Sequence, residues 1–350
     1  MHAIPRPEPF DRKGPLGPTI KGTIVATLKS GQHLLPTPSP TLPPKVMNPN
    51  HFPSATELIR NEDGSVYHLG LHPDDIADRI LLVGDPDRVQ EVTMHWDRVE
   101  LVRSRREFVT HTGWMGSQRL TVCSTGIGTD NVDIVMHELD ALRRLDWNSG
   151  RPLEKARPLS LVRIGTAGCL QEDIEEGQIM LSSAALAFDG LLAHYRVPLS
   201  AEEEELAQAA AEGLYGPRPP ALPSAFSADP LWLHTMEKAG LSSGINWTCA
   251  GFYGPQGRNL HGWSAYPDLL AKAASFQVDF GGRRQGITHL EMETAGLYGL
   301  SRLMGHRAVS VSALLAHRLH QRFCTEPKKV MQACILQVLK ILEEHPEPVS

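Results

Sequence analysis

The sequence predicts an α/β fold in three layers, with helices on both faces of a mixed, mostly parallel central sheet. Three observations carry that prediction. Short apolar runs alternate with segments of helical period. The first three runs close in glycine-bearing turns, at Gly84, at 125–128 and at 165–168. No repeat and no linker-like stretch interrupts the chain from residue 55 to 350, so one domain of about 295 residues is expected.

Residues 80–83 are the first strand, turned by Gly84, Asp85 and Pro86. Residues 120–124 are the second. The helix that follows, 130–143, carries an apolar stripe of Val132, Val135, Met136, Leu139 and Leu142, with Thr129 or Asp130 as its cap. Residues 159–164 form a third strand, ended by Gly165, Thr166, Ala167 and Gly168, and 178–182 a fourth. A helix over 200–214 opens with Ser200 and Glu203 in capping-box spacing. A proline-rich loop follows at 217–223. Residues 293–304 and 328–344 read as helices, with a strand at 308–314 between them.

Residues 1–54 differ in kind. Prolines recur from Pro5 to Pro53 without apolar periodicity, so this extension is expected to be disordered, and Met47 offers an alternative start of translation. Bulk properties exclude several classes. A net charge of -6 without a basic run argues against a nucleic-acid partner. No apolar stretch reaches transmembrane length and no signal-peptide pattern opens the chain, so no membrane partner is expected. The five cysteines, an odd number without CxxC spacing, suit free thiols in a reducing compartment and hence the cytoplasm. HExxH, Walker and GxGxxG patterns are absent.

Several polar residues follow strands, where open α/β sheets bind ligands. Arg163 interrupts the apolar run 161–164. A buried cation is costly unless paired, so it either meets an acidic side chain or awaits an anion. Gly165, Thr166 and Gly168 add a hydroxyl and unobstructed N–H groups, and Gly84 and Arg88 repeat that chemistry after the first strand. Together they suit a phosphate. Glu291, Met292 and Glu293 put two carboxylates around an apolar residue, which suits sugar hydroxyls or equally a helix N-terminus. In the segment 252–258, Phe252 and Tyr253 lead through a Gly-Pro turn to Gln256 and Arg258. An amide that donates and accepts beside a guanidinium that only donates can read the acceptor–donor–acceptor edge of a uracil-type ring. A water-facing turn reads the same way.

The ordered set of 67–71, 84–88, 106–108, 124–128, 163–168, 252–258 and 291–293 resembles the nucleoside phosphorylase I superfamily, and within it the uridine phosphorylases, from about residue 60 to 343. The resemblance implies reversible phosphorolysis of uridine with inorganic phosphate as co-substrate and no organic cofactor. It gives Gly84, Arg88, Arg163 and Thr166 to phosphate, with Arg106 reaching it from a neighbouring subunit. Met292 and Glu293 would hold the ribose, supported by Glu291, and the neighbour's His68 would meet the 5′-hydroxyl. Gln256 and Arg258 would read the base, with Phe252 packing near it and Arg318 at its edge. It also implies a homo-oligomer, a dimer or a hexamer of dimers with shared sites. In some members a potassium ion sits at the interface. Glu107 and Ile127 match part of that site, but Asn131 replaces a serine.

The alternatives are a purine phosphorylase, a nucleosidase and a non-catalytic nucleoside-binding protein. Purine phosphorylases use an Asp that 313–318 lacks, and nucleosidases lack the arginines at 88, 106 and 163. The intact polar set argues against a pure binder. Gly254-Pro255 in place of Pro-Gly, Thr129-Asp130-Asn131 in place of a Gly-Pro-Ser type sequence, His317 in place of Asn and a long 144–158 connection leave thymidine or deoxyuridine open as preferred substrates.

Overall fold

The computed structural model describes residues 53–346; the proline-rich extension and Met47 lie outside the described residues. In chain order the first half consists of β1 (Arg79–Val83), α1 (Pro86–Thr93), β2 (Arg98–Arg105), β3 (Phe108–Met115), β4 (Gln118–Ser124), α2 (Thr129–Arg144), β5 (Ser160–Cys169) and β6 (Ile179–Ala187). The second half comprises α3 (Ala201–Tyr215), β7 (Ser224–Ser227), α4 (Pro230–Lys238), β8 (Ser242–Thr248), α5 (Leu269–Ser275), the small hairpin β9 (Val278–Phe280) and β10 (Arg283–Gln285), then β11 (Ile287–Glu291), α6 (Thr294–Met304), β12 (Arg307–His317), β13 (Arg322–Phe323) and α7 (Pro327–Glu344).

The α/β class and the mixed sheet are as the sequence predicts. β1 is buried at every position, the signature of a strand covered on both faces. It pairs in parallel with β4 on one side and β5 on the other. β3 and β2 extend that side antiparallel. On the other side the order β12-β6-β8-β11-β5 returns to its start, because β12 also pairs with β5. The sheet is therefore open at one end and closed into a five-strand ring at the other, with β5 common to both.

β5 corrects the sequence reading. The Gly-Thr-Ala-Gly segment does not end the strand, which runs on to Cys169 because β12 pairs along its whole length. The opposite edge of β5 changes partner. It pairs with β1 from Ser160 to Ile164 and with β11 at Gly168 and Cys169. Residues 165–167 face the split between them. β12 likewise runs past the predicted 308–314.

α3 carries the predicted capping box: the Ser200 hydroxyl accepts from the Glu203 N–H at 3.3 Å, and the Ser200 N–H donates to Glu203 at 2.9 Å. α2 is capped differently from expectation. Neither Thr129 nor Asp130 caps it; Gly128 stands at the N-cap with φ +94°, a backbone that other residues rarely adopt. The main hydrophobic core lies among β1, β4, β5, α2, α6 and α7, and a second cluster joins α3, α5, β6 and β8.

Candidate active site

The split beside β5 opens into a cavity of about 920 Å³. Ten of the thirteen predicted residues line it: Gly84, Arg88, Arg163, Thr166, Phe252, Gln256, Arg258, Glu291, Met292 and Glu293. His68, Arg106 and Arg318 do not.

One end is basic. Arg163 is 4% exposed and its guanidinium folds back along its own strand. A methyl group at position 165 would run into it, so Gly165 is required by that close approach. Arg88, in the first turn of α1, comes so near that burial and then the Arg163 charge lower its pKa. Arg88 Nε and Arg163 Nε and Nη1 are buried without hydrogen-bond partners. Two adjoining guanidiniums with unused donors can seat an anion, and Thr166 and Gly84 line the same cavity.

Of the two sequence alternatives for Arg163, the acidic partner is present. It pairs with Glu293 Oε2, and its Nη1 lies 3.4 Å from Glu291 Oε2. The two carboxylates differ in employment. Glu291 is saturated: Asn246 Nδ2 donates at 3.0 Å, Thr248 Oγ1 at 2.7 Å, the Glu293 N–H at 2.8 Å and the Thr294 N–H at 2.9 Å. Burial would raise its pKa, but Arg163 and these donors outweigh that and hold it low. Glu291 thus satisfies the N-terminus of α6. Glu293 keeps less company. Its Oε1 accepts from the Gly128 N–H at 2.8 Å, capping α2 from another helix. Burial pushes its pKa up against the pull of Arg163, with Glu291 adding repulsion. Met292, half-buried between them, also lines the cavity.

The 252–258 loop lines the same cavity through Phe252, Gln256 and Arg258. A short 3-10 turn, Gly254–Gln256, ends at Gly257, which has φ +71°. Gln256 is 3% exposed, whereas Phe252 is 51% exposed. Arg258 stacks on the Phe252 ring at 3.6 Å, donates to the Phe252 carbonyl at 2.6 Å and also donates to Gln256 Oε1. Burial, then the Arg318 charge, lower its pKa to about 10, so it stays cationic at neutral pH. Arg318 works from behind: it donates to the Gln256 carbonyl at 3.0 Å and lies across Gly168.

His68 and Arg106 sit together elsewhere. The Tyr67 ring is 4.9 Å from the His68 ring, edge to face, and 5.6 Å from the Arg106 guanidinium. Arg106 is exposed with φ +55°. His68 Nδ1 contacts Glu138 at 2.7 Å. Glu138, Asn246 and Thr248 are supporting residues that sequence reasoning missed. No local signal marks them, because each pairs across 43 to 70 residues.

Glu107, Ile127 and Asn131 border the cavity. Asn131 Nδ2 donates to the Ile127 carbonyl at 3.3 Å. The Ile127 carbonyl thus already accepts one N–H, which leaves it a second lone pair. Among the described residues no cluster of His, Cys, Asp and Glu is arranged to hold a metal, and no helix is long and apolar enough to cross a membrane.

Fold and cavity define an α/β protein with a cleft that brings together the guanidiniums of Arg88 and Arg163, the carboxylates of Glu291 and Glu293, and the amide and guanidinium of Gln256 and Arg258. Residues 78–344 match the family model described as Phosphorylase superfamily, and the chain belongs to that superfamily. It is 30% identical to uridine phosphorylase of Thermococcus kodakarensis over 84% of this chain and 92% of that one. With uridine phosphorylase of Escherichia coli it shares 32% identity over 37% of this chain and 47% of that one. A Trypanosoma brucei nucleoside phosphorylase, described as showing uridine phosphorylase activity, superposes with a TM-score of 0.75 at 25% identity, over 82% of this chain and 99% of that one.

Proposed function

We propose that this protein catalyses the reversible phosphorolysis of uridine to uracil and ribose 1-phosphate, as a pentosyltransferase of pyrimidine nucleoside salvage and catabolism. The observation that carries the reading is the set of groups brought into one cavity: adjoining Arg88 and Arg163, Glu293 paired with Arg163, Met292, and Gln256 with Arg258.

Phosphate sits between the two guanidiniums, bordered by Gly84 and Thr166, and relieves their mutual repulsion. Glu293 takes ribose hydroxyls, Met292 lies against the sugar, and Glu291 keeps both in place. Gln256 accepts from the ring N–H and donates to one carbonyl, while Arg258 donates to the other. As the glycosidic bond loosens, the sugar gains oxocarbenium character and the base gains negative charge. Arg258 and Gln256 meet that charge where it develops, and a single such donor is worth about 10²–10³ in rate. Phosphate, held in line, then attacks C1′, with positioning supplying much of the remaining acceleration. The chemistry needs no covalent enzyme intermediate and no organic cofactor, and no step here uses a cation.

His68 and Arg106 lie outside their own chain's cavity. We assign them to the cavity of a neighbouring subunit in a homo-oligomer, His68 to the 5′-hydroxyl and Arg106 to phosphate. Residues 55–350 are taken as the phosphorylase domain. Five free thiols, four of them buried, suit the cytoplasm.

The test is uracil release from uridine, followed with and without phosphate, beside thymidine, inosine and adenosine. Phosphate-dependent release from uridine supports the proposal. Phosphate-independent release makes the protein a nucleosidase, a preference for inosine or adenosine makes it a purine phosphorylase, and no turnover of any nucleoside leaves a binding protein.

A further inference from the structure

Glu138 stands on α2 and is 7% exposed. A carboxylate that deep must be satisfied. Its donors all come from one short loop. The His68 N–H donates to both its oxygens, at 2.9 and 3.1 Å. The Leu69 N–H donates at 2.8 Å, and His68 Nδ1 lies 2.7 Å from Oε1. A carboxylate only accepts, so this last contact requires the proton on Nδ1. In the neutral imidazole, Nε2 is then the bare acceptor. Tyr67 and Phe108 pack against the same ring edge to face, at 4.9 and 6.4 Å. The loop itself closes by Val66 N–H to Leu71 carbonyl at 3.0 Å. Ring plane and tautomer are therefore both set, while the side chain retains 26% exposure toward solvent.

We infer that Glu138 is a positioning residue for the nucleoside: it holds His68 as the Nδ1–H tautomer, so that Nε2 accepts from the ribose 5′-hydroxyl bound in the neighbouring subunit. The inference rests on the assignment of His68 to the ribose made above. A hydroxyl is the matching ligand class, because Nε2 then offers a lone pair held in one direction.

Glu138 also staples the loop through two backbone N–H groups, and the experiment separates the two roles. Turnover with phosphate is measured for uridine and for 5′-deoxyuridine, on wild type, Glu138→Gln, Glu138→Asp and His68→Ala. In wild type the 5′-hydroxyl is expected to raise kcat/KM by about tenfold, the scale of one hydrogen bond. Both Glu138 variants are expected to pull the uridine to 5′-deoxyuridine ratio most of the way to that of His68→Ala. The change should lie mainly in KM for uridine, with KM for phosphate unmoved. Each ratio comes from a single preparation, so a loss of folded protein cancels. An unaltered ratio, or equal losses on both substrates, would overturn the inference and leave Glu138 a loop staple. If His68→Ala itself keeps the wild-type ratio, the ribose assignment of His68 is wrong and the inference falls with it. Wild-type turnover of uridine, read in the same assay, tests the phosphorolysis proposal separately.

Discussion

Replacing Arg258 by Ala separates what this side chain does for the reaction from what it does for the fold. Arg258 stacks on an exposed ring at 3.6 Å and donates to the Phe252 carbonyl and to Gln256 Oε1. An exposed cation–π contact is worth about 0.5–1 kcal/mol and a hydrogen bond near the surface about as much. The stability loss is therefore about 1–2 kcal/mol, a melting shift of a few degrees in a domain of this size. The catalytic loss works on another scale. A donor aimed at charge that exists only in the transition state contributes about 10²–10³, or roughly 3–4 kcal/mol. Steady-state kinetics with uridine and phosphate should show kcat/KM falling by that factor, beside a melting temperature lowered by only those few degrees. Arg258→Lys keeps the charge but loses the planar fork, and should recover only part of the rate. A kcat/KM for Arg258→Ala within about threefold of wild type would refute the base-reading assignment.

Arg163→Met should be the more damaging change to stability. It leaves Glu291 and Glu293 buried beside an apolar side chain, a loss of about 3–5 kcal/mol in urea unfolding, and raises KM for phosphate at least about tenfold. The Glu203–Arg302 pair predicts a pH effect away from the site. Arg302 donates to both Glu203 oxygens, at 2.5 and 2.6 Å, and the Ser200 and Ser227 N–H groups complete the set. Burial alone would raise Glu203, but these partners overcome it and lower its pKa from 4.5 to about 2. Its contribution is present above pH 4.5 and is lost as pH falls from there toward about 2. Arg302→Ala should cost about 2–3 kcal/mol at neutral pH, less than a fully buried pair because Arg302 reaches solvent, and should flatten that acid limb of the stability curve.

Much of this was legible in the chain because it is local. The apolar runs that became β1, β4 and β6 are short and bounded by turn residues, and the Ser200–Glu203 box acts over three residues. The misses share a cause. Gly165 and Gly168 read as a turn, yet they are strand glycines, small because Arg163 and Arg318 lie across them. Thr129 and Asp130 look like caps, but the carboxylate that serves α2 comes from Glu293. β2 went unread because it is mostly exposed, so its pattern carries no buried face. Within the site, the sequence posed Arg163 as partner of acid or of anion. Only the packing reveals that it faces two carboxylates and still keeps donors to spare. The separation of Glu291 from Glu293, one anchoring a helix and one facing the cavity, is likewise a matter of which neighbours arrive.

The partner change along β5 has a consequence for how such a protein can diversify. Arg163 and Thr166 sit on a strand shared by the open sheet and the ring, where any shift must move both at once. Gln256 and Arg258 sit on a surface turn pinned by Arg318. On the proposed reading, substitutions in that turn redraw which heterocycle is accepted while the phosphate arginines stay in place. Lineages built on this scaffold should therefore vary in the base they cleave sooner than in the nucleophile they use.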